Sequence, residues 1–351
     1  MNRKVLALVL ASLMLLASCA LAGAEELPRF DGQELRVSTF AFNAELLQKN
    51  IYDPFEAATG AKIIPEGDSN AVRVTKIKEN PSDYDVVVIG DMFVSELIGE
   101  GLIDTIDAAS LTNLDGLYDM AKAPLGEEYG PAYTFNRLGI VYDPAYCPVE
   151  ITSWADLWNE ELVDSVVIPD ITTTSGPLLY YSIAQMEGLT PGADDEAIFA
   201  KLAELKPNLV NTYTSANNAI QMLNQGEVTV AVLLDYSYTT AVNANPDLVW
   251  VDPAEGVFSG FNCLNIIKDT PNKELAEAFI NFYISYEVQL AEALDGVDSP
   301  VRTDVELTAE QAANFTYGAE MIGGLQIPDW SAINANKAAW IESWNELFSV
   351  K

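Results

Sequence analysis

In YDVVVIGD the four residues from Val86 to Ile89 are all apolar, with no polar residue between them. A strand that hides both faces reads this way, and such strands belong to parallel sheets covered by helices. LRVSTF and AKII read as two further strands. Between them, NAELLQKNIYDPFEAATG sets Leu47, Ile51, Phe55 and Ala58 at helical spacing on one face. Pro54 falls inside that stretch, so the pattern predicts two short helices in series, with Asp53 as N-cap and Pro54 as first residue of the second. Gly60 is placed to end it. A helix around Val72 to Lys78 and another in MFVSELIGEG complete an alternation of strand and helix, the mark of an α/β layer.

The same grammar returns further along. SWADLWNEEL offers Ser153 and Asp156 as a capping box, SVVIPD is a strand, and GPLLYYSIAQMEG is a helix closed by Gly188. DDEAIFAKLAELKP, LVNTY, SANNAIQMLNQGE, VTVAVLLD and LVWVDP continue as helix, strand, helix, strand, strand, which makes a second α/β lobe. FNCLNII is an apolar strand, and NKELAEAFINFYISYEVQLAEAL a helix with Leu275, Phe279, Phe282 and Tyr283 inward. From about residue 308 the tail, LTAEQAANFTYGAEMIGGL and SAINANKAAWIESWNELF, reads as helical throughout. No repeat, low-complexity run or long linker intervenes, so the lobes are expected to be joined by strands of the sheets themselves.

The amino terminus reads differently. Arg3 and Lys4 precede an apolar stretch, Val5 to Leu16, of roughly 12 residues, short of the roughly 20 that span a bilayer. This is the pattern of a signal peptide over 1–18, followed by a small, acidic tether over 19–34. Its end, Leu16-Ala17-Ser18-Cys19, resembles the lipobox of bacterial lipoproteins, which implies a mature chain lipidated at Cys19; Ala20-Leu21-Ala22 offers an ordinary cleavage site instead. No later stretch approaches the length of a transmembrane helix.

Composition narrows the function. The 351 residues include 52 acidic and 18 basic side chains, a formal charge of −34, which argues against nucleic acid and anionic lipid surfaces as partners and favours cations. There is no histidine, so Ser-His-Asp and Cys-His catalysis and His-ligated zinc are excluded. Cys147 and Cys263 lie in a loop and a strand with no disulfide framework, and are expected as two buried thiols. A mature chain of about 330 residues exceeds what one core usually serves, so two lobes are the expectation.

The order of PFEAATGAKII, YDVVVIGD, GLIDTID, GPAYTFNRLGIVYDP, ITSWADLWNEEL, VVIPD, GEVTVAVLLDYS and NKELAEAFINFYIS resembles the extracellular solute-binding proteins of ABC importers, and within them the spermidine and putrescine binders. The likeness runs from about Leu35 to the C-terminus. It implies a two-lobed, type II periplasmic-binding-protein-like α/β fold, each lobe a mostly parallel sheet flanked by helices, with C-terminal helices. It also implies crossings between lobes near Asn136 and Phe261. The expected boundaries are 35–135 with 262–298 for the first lobe, and 136–261 with 299–351 for the second. The function implied is capture of a small cationic or zwitterionic solute, a polyamine foremost, and its delivery to an ABC permease. The protein would be a monomer without cofactor or enzymatic activity, held by lipidated Cys19 at the outer, extracytoplasmic or periplasmic face of the cell membrane.

In open parallel sheets a ligand sits outside the carboxyl ends of the strands. Phe40, Phe42 and Asn43 follow LRVST, Asp91 and Phe93 follow DVVVIG, and Asp235 and Tyr236 follow VAVLL. Tyr133 and Asn136 come from the first crossing, Asn262 from the return strand, and Asp298 from GVDSPVRT. Carboxylates there suit an ammonium group, and aromatic faces add cation–π attraction of about 0.5 to 2 kcal/mol each. Asp91 and Asp235 serve equally well as helix N-caps, and Asp298 as a turn residue. Thr173, Thr174 and Ser175 precede a helix and suit an anionic group on the solute, or simply cap that helix. In the polyamine binders tryptophans sandwich the solute and an acidic residue follows one of them; this chain places Leu234, Gly260 and Asn262 at those positions, so an amino-acid-like zwitterion stands beside polyamine. Other readings are a thiamine-like or a phosphorylated or carboxylate solute, and ferric ion on Tyr180-Tyr181 or Tyr236 and Tyr238. A glycosidase carboxylate pair and a surface adhesin complete the alternatives.

Overall fold

The computed structural model describes residues 27–41, 43–313 and 315–348, so the expected leader, Cys19 and Phe42 lie outside the described residues. β1 (Glu34–Thr39), β2 (Lys62–Gly67) and β3 (Val86–Gly90) form the parallel part of the first lobe. The apolar run read from YDVVVIGD is buried along its whole length in β3. Between β1 and β2 the helical run α1 passes through Ala44–Leu47, Gln48–Tyr52 and Asp53–Thr59 without the break expected at Pro54. Its middle segment is a π-turn: the Asp53 N–H reaches back five residues to the Gln48 carbonyl. That widened turn resets the ladder where Pro54 has no N–H to give. Gly60 ends the run at φ 76, as expected of a residue free of Cβ.

The remaining strands are β4 (Ala132–Tyr142), β5 (Val166–Pro169), β6 (Leu209–Tyr213), β7 (Val230–Leu234), β8 (Val249–Val251), β9 (Val257–Ile266) and β10 (Leu325–Gln326). Hydrogen bonding runs β2-β1-β3-β9-β4-β7-β5-β6, with β8 beside β4 and β10 beside β9. β4 and β9 serve both lobes. Residues of β4 up to Arg137 pair with β9, and from Leu138 onward they pair with β7. β9 pairs with β3 through Asn262 to Ile266. Every residue of β4 is buried, so the crossing runs through the core and not through a surface linker. In β7, Val230, Val232 and Leu234 join the large core, while Ala231 and Leu233 face a second cluster with Val141, Val167 and Ile220. Two covered faces explain why the sequence shows no alternation there.

Helices cover the sheet: α2 (Asn70–Glu79), α3 (Asp91–Gly99), α4 (Ser175–Glu187), α5 (Asp195–Glu204), α6 (Ala216–Gln225), α7 (Asp235–Ala244), α8 (Lys273–Tyr283), α9 (Tyr286–Leu294) and α10 (Trp330–Phe348). The capping box of Ser153 and Asp156 forms, but on a 3-10 turn, Trp154–Trp158, because Asn159 starts a new turn by capping the Glu161 N–H at 2.9 Å. The tail is less helical than its composition suggests. Only Ala309–Ala312 and Ala319–Gly323 precede α10, and Gly318 at φ 95 with the Gly323-Gly324 pair interrupts the rest. Cys147 and Cys263 are both free; Cys263 is buried, but Cys147 is only partly so.

The chain after Asp298 does not pass directly to the second lobe, as the boundary at 299 expects. The Tyr118 N–H donates to the Val301 carbonyl at 2.9 Å, the Thr303 N–H to Gly116 at 2.9 Å, and Arg302 to the Ile284 carbonyl at 3.1 Å, which docks this segment on the first lobe. α10 then touches both lobes. Trp330 Nε1 donates to Asp91 on α3 at 2.6 Å; further along, Trp340 Nε1 donates to Asp195 on α5 at 2.7 Å and Trp344 Nε1 to Asp170 beyond β5 at 2.9 Å. Among the described residues no helix is long and apolar enough to cross a membrane.

Trp330→Phe keeps a smaller aromatic ring at this buried position and removes the indole donor from a fully buried carboxylate, so lost packing adds to the lost bond. A hydrogen bond to a charged group contributes about 1.5 to 3 kcal/mol, so equilibrium urea unfolding should show a loss of that order. Trp344→Phe should cost less, because Asp170 keeps contact with water.

Candidate functional site

β7 ends directly in α7, which leaves Asp235, the first residue of α7, at the carboxyl end of the sheet. α9 ends in a left-handed turn: Gly296 has φ 73, and the Val297 N–H closes on the Glu292 carbonyl at 2.9 Å. That turn delivers Asp298 toward the same place. With Thr134, Phe135 and Asn136 of β4, these residues line a cavity of about 590 Å³ at the crossing strands. Asn43 and Ser69 close it from the first lobe; Ser215, Asn217, Tyr236, Thr239 and Thr240 close it from the second. Asp235 and Asp298 are the charged residues of the lining.

The three candidate carboxylates have different surroundings. Asp91 is not in the lining. It is fully buried and accepts from the Met92 N–H at 2.9 Å, the Phe261 N–H at 2.9 Å and Trp330 Nε1 at 2.6 Å. Burial pushes it up to about 7, against those donors. It ties α3, β9 and α10 together, and its donors are the protein's own. Asp235 lines the cavity but is also saturated. Arg137 Nη1 stands 3.1 Å from Oδ2, Thr316 donates its hydroxyl, and the N–H groups of Tyr236 and Arg137 lie 3.0 and 3.3 Å from Oδ1. Burial pushes Asp235 above the usual carboxylate range and Arg137 opposes it.

Asp298 stands apart: no lysine or arginine pairs with it among the described residues, and its side chain is only partly covered. Its environment disfavours ionisation. Burial first, then the negative charge of Glu292, holds its carboxyl well above the usual range, with the Thr134 hydroxyl opposing.

Other candidates lie elsewhere. The faces of Phe40 and Phe93 are taken by the protein's own cations, Arg73 at 4.5 Å and Lys337 at 5.9 Å. Tyr133 is buried against Tyr283 with ring centroids 4.9 Å apart, and Asn262 sits in β9 between Gly90 and Thr134. Thr173 donates to the Asp170 carbonyl at 2.7 Å and accepts from the Gly176 N–H at 3.1 Å, the capping arrangement; neither it nor Thr174 nor Ser175 lines the cavity. Tyr180 donates to Asp195 at 2.6 Å and packs on Trp340, so the adjacent tyrosines serve the contact with α10. Among the described residues no three His, Cys, Asp or Glu side chains are placed to hold a metal ion.

A two-lobed α/β body with a polar cavity at two crossing strands is a clamp. The family model described as bacterial extracellular solute-binding protein matches residues 50–318. The chain belongs to that family. It is similar to the spermidine/putrescine-binding periplasmic protein of Escherichia coli (strain K12), at 30% identity over 77% of this chain and 79% of that protein. A protein of Salmonella typhi named a putative 2-aminoethylphosphonate-binding periplasmic protein is 24% identical over 84% of this chain and 86% of its own. The crystal structure of an ABC transporter from Clostridium perfringens ATCC 13124 superposes with a TM-score of 0.82 at 36% identity, covering 90% of this chain and 100% of that one. The fold is the type II binding-protein fold, and the protein is not an enzyme.

In this solute-binding protein the lining includes residues that the sequence reading passed over, among them Thr134, Ser69, Ser215, Asn217 and Thr239. Two had a usable signal. Ser69 and Ser215 immediately precede α2 and α6, just beyond the carboxyl ends of β2 and β6, where the same strand-end rule applies.

An ammonium solute at this cavity would pair with the ionised form of Asp298, so proton and solute would compete. Affinity should fall as pH drops through the raised pKa, and binding near that pH should expel a proton. Calorimetry in buffers of different ionisation enthalpy measures both effects; Asp298→Asn should remove the pH dependence and weaken binding by about tenfold to a hundredfold, as for the loss of a charge-assisted bond.

Proposed function

We propose that this protein is the solute-capturing component of an ABC importer and that its solute is a small organic amine, the class to which spermidine and putrescine belong. The observation that carries this reading is the Asp298 carboxylate, which no lysine or arginine pairs among the described residues, in a cavity also lined by the aromatic residues Tyr236 and Phe315. A carboxylate attracts the ammonium, and ring faces add to it without competing for the same oxygens. The cavity volume falls within the range of small-molecule sites. The polyamine-binding relative supports the amine class. A solute that also bears an anionic group is a second reading, favoured by Ser69 and Ser215 at the starts of two helices on the lining and by the aminoethylphosphonate-binding relative.

Capture works by population shift. Open and closed arrangements exchange, and a solute that touches residues of both lobes stabilises the closed one, which the permease then meets. The paired strands β4 and β9 are the hinge in this scheme. Lipidation at Cys19 would keep the protein beside the permease, because two acyl chains anchor where one is marginal.

A ligand that binds only the native state raises the melting temperature. A thermal-shift series with spermidine, putrescine, 2-aminoethylphosphonate, amino acids, thiamine, phosphorylated compounds and ferric ion should give its largest shifts with amines. A shift with ferric ion or phosphate alone, and none with any amine, would refute the reading. In cells fed a labelled fatty acid, the wild-type chain should carry label and Cys19→Ala should not.

A further inference from the structure

Asp235 and Asp298 look equivalent from the cavity, yet they differ in what stands behind them. Arg137 is buried, is the last residue of β4 to pair with β9, and is absent from the cavity lining. Its guanidinium meets Asp235 Oδ2 at 3.1 Å and Asp252 Oδ1 at 2.8 Å, and lies over the Trp250 ring at 4.9 Å. The pair with Asp235 is almost closed to water on both sides, with side-chain exposures of 6% and 4%. A guanidinium keeps its charge at any accessible pH, and at this distance with little water it cancels most of the field of its partner. The Thr316 hydroxyl and two backbone amides occupy the remaining acceptor directions of Asp235. No lysine or arginine does the same for Asp298 among the described residues.

We propose that Arg137 is a specificity-determining residue: by masking Asp235 from behind, it leaves the cavity a single ion-pairing position, at Asp298, so that one ammonium of the solute is paired and its far end meets only hydroxyls and amides. The proposal rests on the amine reading above and deepens it. The rest of the lining fits this division, with Thr239, Thr240, Ser215 and Asn217 able to bond an ammonium or a hydroxyl alike. Such a site recognises the length and one end of an amine, and gains little from a second charge.

The test uses calorimetry with 1,4-diaminobutane and 4-aminobutan-1-ol, which match in length but carry two and one ammonium groups. The wild type should bind the two within about tenfold of each other, because the second ammonium gains no carboxylate of its own. Asp298→Asn should lose tens-fold for both. Arg137→Met uncovers Asp235 and should raise the preference for the diamine by about tenfold or more, since the second ammonium becomes its counter-ion. A merely structural role for Arg137 would weaken both solutes alike and leave the ratio unmoved, which overturns the proposal. So does a wild type that prefers the diamine by hundredfold or more, a measurement that decides the matter even if Arg137→Met fails to fold. A wild type that binds neither compound, nor any other amine in the thermal-shift series, refutes the amine reading itself and this proposal with it.

Discussion

A carboxylate taken out of water must find hydrogen-bond donors or give up its charge, and much of this structure follows from where the donors come from. The chain is strongly acidic, so surplus negative side chains are ordinary on its surface. The informative ones are inside. Asp85 accepts from the Arg36 N–H of β1 at 2.7 Å and from Asn272, before α8, at 3.1 Å. Asp91 joins α3, β9 and α10, and Asp235 joins α7, β4 and the segment around Thr316. Each of these aspartates therefore acts as a cross-link between elements remote in sequence. The same accounting separates these carboxylates from Asp298, which lines the cavity with no basic partner among the described residues.

The route by which the chain crosses between lobes explains why the cavity sits where it does. β4 and β9 pair with each other and carry the sheet from one lobe into the other, and the cavity lies against β4 at that crossing. Strand ends from both sides converge there, and their following residues become lining. The left-handed turn at Gly296 adds Asp298 from a third direction. A polar cavity between two hydrophobic bodies results, and its shape depends on the angle between them. That dependence is what lets a small molecule report its presence to a much larger partner.

The elements were largely legible because their signals are local. The apolar run of β3, the glycines that end α1 and α4, and the Ser153 capping box each depend on neighbours a few residues away. Pro54 misled, because a π-turn absorbs a proline without breaking the helix. The site was legible only in part. Asn136 from the crossing strand, Asp298 from GVDSPVRT, and Asn43, Asp235 and Tyr236 from strand-end reasoning all line the cavity. Strand-end reasoning also named Asp91, whose partner Trp330 lies 239 residues away. Nothing near Asp235 in sequence announces Arg137, 98 residues earlier, whose guanidinium stands against its carboxylate. Sequence position states which residues reach a site, but whether a charge arrives free or already matched is settled by tertiary contacts.

α10 carries one more implication. Its Trp330 end is pinned to the first lobe and its Trp344 end to the second, and at a rise of about 1.5 Å per residue the two pins stand about 20 Å apart. A helix is nearly inextensible, so the lobes are coupled through a rod of fixed length. They can swing about it but cannot slide apart or twist freely. A tether of this kind would narrow the arc through which the jaws open and so reduce the orientational entropy surrendered when they shut.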